Sequence, residues 1–267
     1  MSVTVTEESP VDSLQRSEGK IPGVNWLLIL LIVLVLAIIS LSSAFFLQGY
    51  YRDLGIEVIR MEGTIVTGEL SNGGYVGSEY IGRQLRNAAD DPMVDAVVLR
   101  VNSPGGTPAA AQEIIRDMEY TRGKKPVVVS MGDIATSSAY YISAYADRIY
   151  ADPDTITGGI GTAWIFIDFS GWLNEENISV EVIKSGSKKD MSSGYRPLSQ
   201  DEREYAGQLV NESYDRFIED ICSQRDIPIE TLGDARVIRG ETALGMGLVD
   251  RIGNLNDAIA GARELAG

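Results

Sequence analysis

The distribution of hydrophobic and polar residues divides the chain into three zones. Residues 1–23 are polar and show no hydrophobic period, which is typical of a disordered tail. Residues 24–47 carry no charge, and a helix of that length would cross about 30 Å of hydrocarbon. From residue 48 onward, short apolar runs alternate with amphipathic stretches. The pattern therefore predicts a tail (1–23), a transmembrane anchor (24–47) and one folded domain (48–267).

A cleaved signal peptide is the alternative reading of the apolar run, with Ser42-Ser43-Ala44 as the cleavage site. The long acidic segment ahead of the run and an apolar core of about twenty residues favour an uncleaved anchor. Two cations precede the run, Arg16 and Lys20, and Arg52 follows it. This distribution gives only a slight bias toward a cytoplasmic N-terminus.

In the remaining chain, stretches with the hydrophobic pattern of β-strands alternate with stretches that have the pattern of amphipathic helices. Near-continuous apolar runs such as VDAVVLRV (94–101) and PVVVSM (126–131) predict strands buried on both faces of a sheet. Further strands are predicted at IEVIRMEGTIV (56–66), DRIYAD (147–152), ISVEVIKS (178–185) and 236–238, and helices at 77–91, 108–121, 199–225 and from residue 254. The βαβαβ order predicts an α/β fold with a mostly parallel sheet.

The composition excludes several classes of function. With 38 acidic and 23 basic residues the net charge is −15, which argues against nucleic-acid binding because phosphates would not be neutralised. The chain has no histidine, so it cannot form a Ser-His-Asp triad, and zinc catalysis is disfavoured. A nucleophilic serine would need lysine, a carboxylate or a partner chain as its base. A single cysteine, Cys222, excludes an intrachain disulfide.

The stretch from Ser130 to Ala146 carries the strongest chemical signal. A β-rich run leads into the small residues Ala135-Thr136-Ser137-Ser138-Ala139, and helix-compatible residues follow at once. This layout predicts a strand, a tight turn and a helix N-terminus that presents a serine hydroxyl beside free backbone N–H groups. An ordinary N-cap serine is the alternative.

Three other stretches indicate a function only when they are considered together with the serine turn. Asn102-Ser103-Pro104-Gly105-Gly106 follows a buried strand and could turn N–H groups outward, or it could be a simple βα turn. The glycine-rich run 157–161 could let backbone approach a substrate or only turn a corner. The loop around Lys188 and Lys189 could hold a base or be a solvated basic patch.

Together these motifs resemble the signal peptide peptidases of the serine-lysine type (the SppA family, peptidase family S49, in the Clp/crotonase superfamily). The matching segments are VNSPGG (101–106), MGDIATSSAYYISAYAD (131–147), TITGGIG (155–161), KSGSKKD (184–190) and RVIRGETALGMGLVDRIG (236–253). They occur in the family's order and span roughly residues 56–260. The resemblance implies a Clp/crotonase-like repeated β-β-α/βαβ core with a mostly parallel sheet, preceded by one transmembrane helix.

The resemblance also implies the roles of individual residues. The nucleophile falls on Ser137 and the general base on Lys189. The oxyanion donors fall on the backbone N–H groups of Gly105 and Ser138. Two such donors near a helix N-terminus suit a tetrahedral oxyanion, and loss of one typically costs about 10²–10³ in rate.

The chain departs from the family pattern in three places. Ser138 stands where a glycine is common, which makes it a rival nucleophile. Gly159 replaces the serine that orients the lysine, so Thr157, Thr162 or a backbone carbonyl would have to hold Lys189 instead. Lys188, next to Lys189, is a rival base.

The sequence thus predicts a membrane-anchored serine endopeptidase that works through an acyl-enzyme, with no metal or organic cofactor. The resemblance implies substrates such as remnant signal peptides or other hydrophobic peptides, a homo-oligomeric ring, and a single-pass protein of the cell membrane with its catalytic domain outside the cytoplasm. Membrane lipid would contact residues 24–47. A crotonase-type acyl-CoA hydratase or isomerase and a catalytically silent membrane-anchored scaffold are the alternatives.

Overall fold

The structure, a computed structural model, describes residues 26–51, 55–231 and 233–267. The chain divides into two compact units, residues 1–50 and 51–267. The tail predicted over residues 1–23 lies outside the described residues.

The described part of the first unit is helix α1 (Trp26–Tyr51). Large aliphatic side chains along it are exposed, among them Leu27 at 81 % and Leu41 at 71 %. No membrane-crossing helix is found among the described residues. The anchor predicted over residues 24–47 is therefore not confirmed and stays a prediction.

The second unit contains nine described strands and seven described helices. The strands are β1 (Ile56–Glu62), β2 (Thr64–Val66), β3 (Tyr75–Gly77), β4 (Ala96–Ser103), β5 (Val127–Thr136), β6 (Arg148–Ala151), β7 (Ile156–Gly158), β8 (Val237–Arg239) and β9 (Arg251–Ile252). The helices are α2 (Ser78–Asp90), α3 (Pro108–Arg122), α4 (Ser138–Ser143), α5 (Ser170–Glu175), α6 (Gln200–Arg225), α7 (Gly240–Gly245) and α8 (Leu255–Ala266), with a 3₁₀ turn at Ile229–Thr231.

The main sheet is parallel along the order β1-β4-β5-β6-β9. The C-terminal residues of β5, 134–136, pair in parallel with β7 instead of β6. Strand β7 also pairs with β8, in the antiparallel direction. Strands β2 and β3 form a separate parallel pair. The predicted α/β architecture with a mostly parallel sheet is confirmed, while its assignment to the Clp/crotonase-type repeat stays a prediction.

Strand β4 explains why the sheet is covered on both faces. Its side chains alternate between two apolar clusters: Val97 and Leu99 pack in the larger one, which includes residues of α2 and α3. Ala96 and Val98 pack in the smaller one, which includes residues of α8. All four side chains are fully buried, as expected for a strand that is apolar at nearly every position.

One predicted strand does not form. Residues 178–183 have no strand partner among the described residues, and Ile178, Val180, Val182 and Ile183 are exposed. The prediction of a strand at 178–185 is wrong for the single chain, because a β-strand needs a neighbour for its backbone hydrogen bonds. A local run of β-branched residues cannot supply that neighbour.

Candidate active site

Ser137 lies at the carboxyl end of β5, between this strand and helix α4. Its backbone has φ 55° and ψ −127°, a combination that non-glycine residues rarely adopt. The Ser137 N–H donates to the Gly158 carbonyl at 2.9 Å, and the Ser137 carbonyl accepts from the Tyr141 N–H at 2.9 Å. These two bonds hold a strained turn that leaves the side chain partly exposed, which is the geometry of a nucleophile elbow.

Ser138 has a different environment from its neighbour. It is buried, and its hydroxyl donates to the Gly106 carbonyl at 3.0 Å. Its backbone N–H belongs to the first residue of α4 and has no intrahelical acceptor at that position. The hydroxyl of Ser138 is therefore committed to a structural bond, which favours Ser137 as the nucleophile.

The loop after β4 packs directly against the serine turn. Gly105 has φ +104°, and a Cβ at this position would lie 2.8 Å from the Ser137 Cβ, so only glycine fits. The Gly105 N–H donates to the Ser103 hydroxyl at 3.1 Å. Gly106 lines the cavity at Ser137, and its N–H has no acceptor among the described residues. These contacts weigh against Gly105 and favour Gly106 as the free oxyanion donor.

A cavity of about 390 Å³ opens beside Ser137. Its wall combines the serine turn, the loop after β4, the start of α3, the segment after β7 and the middle of α6. The lining residues are Gly106, Pro108, Gln112, Ser137, Ser138, Tyr141, Gly159, Gly161, Thr162, Ala163, Ser213, Arg216, Phe217 and Ala235.

None of the described residues that line the cavity could accept the Ser137 proton. The two titratable side chains among them are Tyr141 and Arg216. Burial, together with a hydrogen bond from the hydroxyl to Asp220, raises the pKa of Tyr141 far above its usual value, so the phenol stays protonated. An arginine side chain remains a cation and cannot act as a base. The proton acceptor must therefore come from outside this wall.

Lys189 is exposed and is not among the residues that line the cavity. Within the part of the chain that the structure describes, its amine has no hydrogen-bond or ion-pair partner. Lys188 pairs with Asp201 and lies over the Tyr205 ring at 5.5 Å, so this rival base is engaged elsewhere. The structure thus brings together Ser137, Ser138 and the glycine loop, but it does not bring Lys189 to the cavity wall.

The loop that carries Lys189 is fixed to the start of α6 by a partly buried ion cluster. Arg196 bridges Asp190 and Glu202, at 2.7 Å to each carboxylate, and Lys184 contacts Asp190 at 2.6 Å. The hydrogen bonds from Arg196 and Lys184 hold the pKa of Asp190 well below its usual range. Arg196, with the Ser199 N–H, lowers the pKa of Glu202 to about 2. The position of Lys189 is therefore set by its neighbours and by its backbone N–H, which donates to the Gly186 carbonyl at 3.2 Å, rather than by contacts of its amine.

The threonines predicted to orient the lysine are occupied in other ways. The Thr157 hydroxyl is fully buried and donates to the Ala135 carbonyl at 2.7 Å. The Thr162 hydroxyl lies 3.5 Å from the Ser213 hydroxyl and lines the cavity. Of the two threonines, therefore, only Thr162 lines the cavity beside Ser137, where a base would have to act.

The far wall of the cavity was not anticipated from the sequence. Tyr141 packs on Phe217 with ring centroids 4.5 Å apart, and Ser213 and Arg216 lie on the same helix, α6. These residues carry no motif, and their position depends on how a helix about 75 residues further along the chain packs against α4. No group of three or more acidic or cysteine side chains that could hold a metal occurs among the described residues.

Comparison with known proteins matches residues 119–267 to Peptidase family S49. The match includes the serine turn and the lysine loop. The matched range contains four of the five segments that carry the sequence resemblance, from MGDIATSSAYYISAYAD (131–147) onward. The VNSPGG segment (101–106) precedes the matched range.

Three curated proteins illustrate the likeness. Protease 4 of Haemophilus influenzae is 39 % identical over 224 residues, covering 82 % of this chain and 36 % of that protein. Protease 4 of Salmonella typhi is 36 % identical over 215 residues, covering 79 % and 34 %. The chloroplastic serine protease SPPA of Arabidopsis thaliana is 30 % identical over 218 residues, covering 79 % and 32 %. The chain spans about a third of the length of these relatives.

Proposed function

Because the chain belongs to peptidase family S49, we propose that it is a serine endopeptidase with Ser137 as its nucleophile. The observation that carries the proposal is the strained turn at Ser137, which exposes the Ser137 hydroxyl at a cavity. The hydroxyl of the neighbouring Ser138 donates instead to the Gly106 carbonyl. Three relatives with protease names support the reaction class. Neither alternative function receives comparable support.

We propose Lys189 as the general base, supplied by a neighbouring copy of the chain. The described residues that line the cavity of one chain include no proton acceptor, and the exposed amine of Lys189 has no partner among the described residues. A ring of identical subunits would repeat the same contact at every interface and complete each site. Enclosure between subunits would also favour the uncharged amine that a base requires.

In the proposed reaction, the neutral Lys189 amine takes the proton from the Ser137 hydroxyl while the oxygen attacks a peptide carbonyl. The resulting oxyanion is stabilised by the Ser138 N–H and by an N–H of the glycine loop, for which Gly106 is better placed than Gly105. The C–N bond then breaks, and the departing amine takes the proton from Lys189. Water activated by the same lysine hydrolyses the acyl-enzyme.

The proposed substrates are hydrophobic peptides, including signal-peptide remnants. The apolar part of the cavity wall, with Pro108, Tyr141 and Phe217, suits such side chains. We also propose that residues 24–47 anchor the protein as a single-pass membrane protein with the catalytic domain outside the cytoplasm. The uncharged apolar sequence and the exposed aliphatic surface of α1 support this proposal.

The test of the nucleophile and base uses the full chain and an apolar fluorogenic peptide. Ser137→Ala and Lys189→Ala should each abolish turnover, since residues that act as a unit lose their effect together. A serine-directed fluorophosphonate should label the parent chain and not Ser137→Ala. Lys188→Ala is the matched control and should retain activity, because its amine is held by Asp201. Activity in Ser137→Ala would contradict the proposal, and an unlabelled, inactive parent chain would favour the silent scaffold.

A mixing experiment tests whether the base comes from a neighbour. Ser137→Ala and Lys189→Ala chains, unfolded together in equal amounts and reassembled, should regain about a quarter of the parent activity by random pairing at interfaces. Each variant reassembled alone should stay inactive. No recovery in mixed assemblies would show that serine and lysine act within one chain.

The membrane proposal has its own measurement. Closed vesicles prepared from cells that make the full chain should retain the protein after carbonate extraction. Externally added protease should digest residues 55–267 only when the outer face of the membrane is exposed. Release of the protein as a soluble form that begins near Phe45 would instead support the cleaved signal peptide.

A further inference from the structure

Among the described residues that line the cavity beside Ser137, Arg216 carries the only charged side chain. It lies on α6, one residue before Phe217, whose ring packs on Tyr141. Arginine is well suited to bind carboxylates because its planar guanidinium can donate two parallel hydrogen bonds. Its position therefore raises the question of what it binds.

Arg216 has no ion-pair partner among the described residues, although carboxylates stand nearby on its own helix. Glu212 lies four residues before it and Asp220 four residues after it, which are the spacings at which helical charges pair. Asp220 is instead engaged by the Tyr141 hydroxyl, and no contact joins Arg216 to Glu212. Thirteen ion pairs form among the described residues, and none of them includes Arg216.

We propose that Arg216 is a specificity residue that binds a carboxylate of the peptide substrate in the Ser137 cavity. This inference rests on the proposed peptidase function and adds to it a preference for a negative charge near the scissile bond. The carboxylate could belong to an aspartate or glutamate side chain or to the free C-terminus of the peptide. The neutral wall formed by Tyr141, Phe217 and Pro108 would hold the adjoining apolar residues.

The rest of the cavity wall supports this chemistry. Its remaining polar side chains are neutral hydroxyls and one amide: Gln112, Ser137, Ser138, Tyr141, Thr162 and Ser213. The raised pKa of Tyr141 keeps its phenol uncharged, so no anion of the wall competes with the substrate for Arg216. A cationic peptide side chain would meet an unpaired guanidinium and be repelled.

The experiment measures kcat/KM of the full chain on apolar peptides that differ at one position near the cleaved bond, with Glu, Gln or Lys. Each peptide is made with a free C-terminal carboxylate and with a C-terminal amide. The parent chain should cleave the Glu peptide about tenfold faster than the Gln peptide, the size of effect expected for one charge-assisted hydrogen bond at a partly solvated site. If Arg216 instead binds the C-terminal carboxylate, peptides with a free C-terminal carboxylate should be cleaved faster than the matching peptides with a C-terminal amide.

Variants of Arg216 give the decisive readout. Arg216→Gln should remove the preference, Arg216→Lys should keep part of it, and Arg216→Glu should reverse it in favour of the Lys peptide. Arg251→Gln, on the edge strand β9 and not among the residues that line the cavity, is the control and should leave every ratio unchanged. Because ratios are compared within one variant, a partial loss of folded protein does not alter them.

The outcomes separate the two hypotheses. Hydrolysis by the parent chain with neither a Glu-over-Gln preference nor an acid-over-amide preference would overturn the role of Arg216 and leave the peptidase function standing. A preference that Arg216→Glu does not change would have the same consequence. Absence of hydrolysis of every peptide and of Ser137 labelling would overturn both.

Discussion

At the scale of single residues, the active site depends on a backbone conformation that costs free energy. A non-glycine residue at φ 55° and ψ −127° is strained by about 1–3 kcal/mol. The hydrogen bonds of Ser137 to Gly158 and Tyr141, and the close contact with Gly105, keep the turn in place. The strained turn exposes the Ser137 hydroxyl at the end of β5. A relaxed turn would point this hydroxyl in another direction.

This strain predicts a difference between two inactive variants. Ser137→Gly should be more stable than Ser137→Ala by about 1 kcal/mol, because glycine adopts the turn without a Cβ clash and the gain exceeds its entropic cost. Urea unfolding of both full-length variants, followed by near-UV circular dichroism, measures the difference. Equal midpoints with equal slopes would show that the turn is not strained.

At the scale of secondary-structure elements, helix α6 is the part of the fold that connects the site to the lysine loop. Its N-terminus is closed by a capping box between Ser199 and Glu202. Arg196 joins Glu202 to Asp190, the residue after Lys189. Its middle supplies Arg216 and Phe217 to the cavity wall. One helix therefore orders both the loop that carries Lys189 and the wall of the cavity beside Ser137.

The ion cluster predicts a specific acid sensitivity. Since the pKa of Glu202 is about 2 in the folded chain and about 4.3 in an unfolded one, its pairing stabilises the fold above about pH 4.5 and is lost as the pH falls toward 2. Asp190, whose pKa is also lowered, contributes with the same sign. Arg196→Gln should therefore lower Tm at pH 7 and flatten the fall of Tm between pH 5 and 2.

The control for this prediction is Arg60→Gln, which removes an ion pair whose two side chains are more than half exposed. Exposed pairs contribute little, so its Tm profile should follow that of the parent chain. Thermal unfolding monitored by circular dichroism at half-unit pH steps compares the three proteins. Parallel profiles for the parent chain and Arg196→Gln would contradict the assignment of the acid sensitivity to this cluster.

At the scale of the whole catalytic unit, the segment between the cavity and the lysine loop exposes an unusual amount of apolar surface. Ile165 is 81 % and Ile183 is 94 % exposed, and Trp164, Ile167, Phe169 and Trp172 are at least 46 % exposed. Large apolar side chains left exposed in one segment are typical of interaction sites. The same segment holds the strand that fails to form, so a neighbouring copy could supply both the missing strand partner and the apolar cover.

The proposed assembly predicts the effect of a charge in this segment. Ile183→Glu should reduce the oligomer to smaller species and abolish activity, because burying an unpaired carboxylate at an interface is costly. Secondary structure should be retained, since the side chain makes little contact within its own chain. Ile229→Glu, 52 % exposed on the 3₁₀ turn, is the control. Sedimentation velocity in detergent, alongside peptidase assays, tests this, and an unchanged oligomer would place the interface elsewhere.

The sequence alone determined the features that depend on local order along the chain. Periodicity located α2 and α3 to within one residue and β4 to within two, and it located the start of β5, which continues five residues beyond the predicted end. The Ser199 to Glu202 spacing marked the start of α6. Burial on both faces, amphipathicity and capping each leave a short-range pattern. The small residues after β5 identified the serine turn for the same reason. The absence of histidine limited the catalytic base to a few residue types without any structure.

Only the tertiary structure decided the features that depend on contacts between distant segments. The run at 178–185 has strand composition but no neighbour to pair with, and Gly105 has the motif of an oxyanion donor but gives its N–H to Ser103. Arg216 enters the cavity because α6 packs against α4, and Lys189 stays outside it because Arg196 and Asp190 hold its loop at the start of α6. Hydrogen-bond partners, cavity walls and ion pairs are set by residues far apart in the chain, and no local pattern encodes which of them will meet.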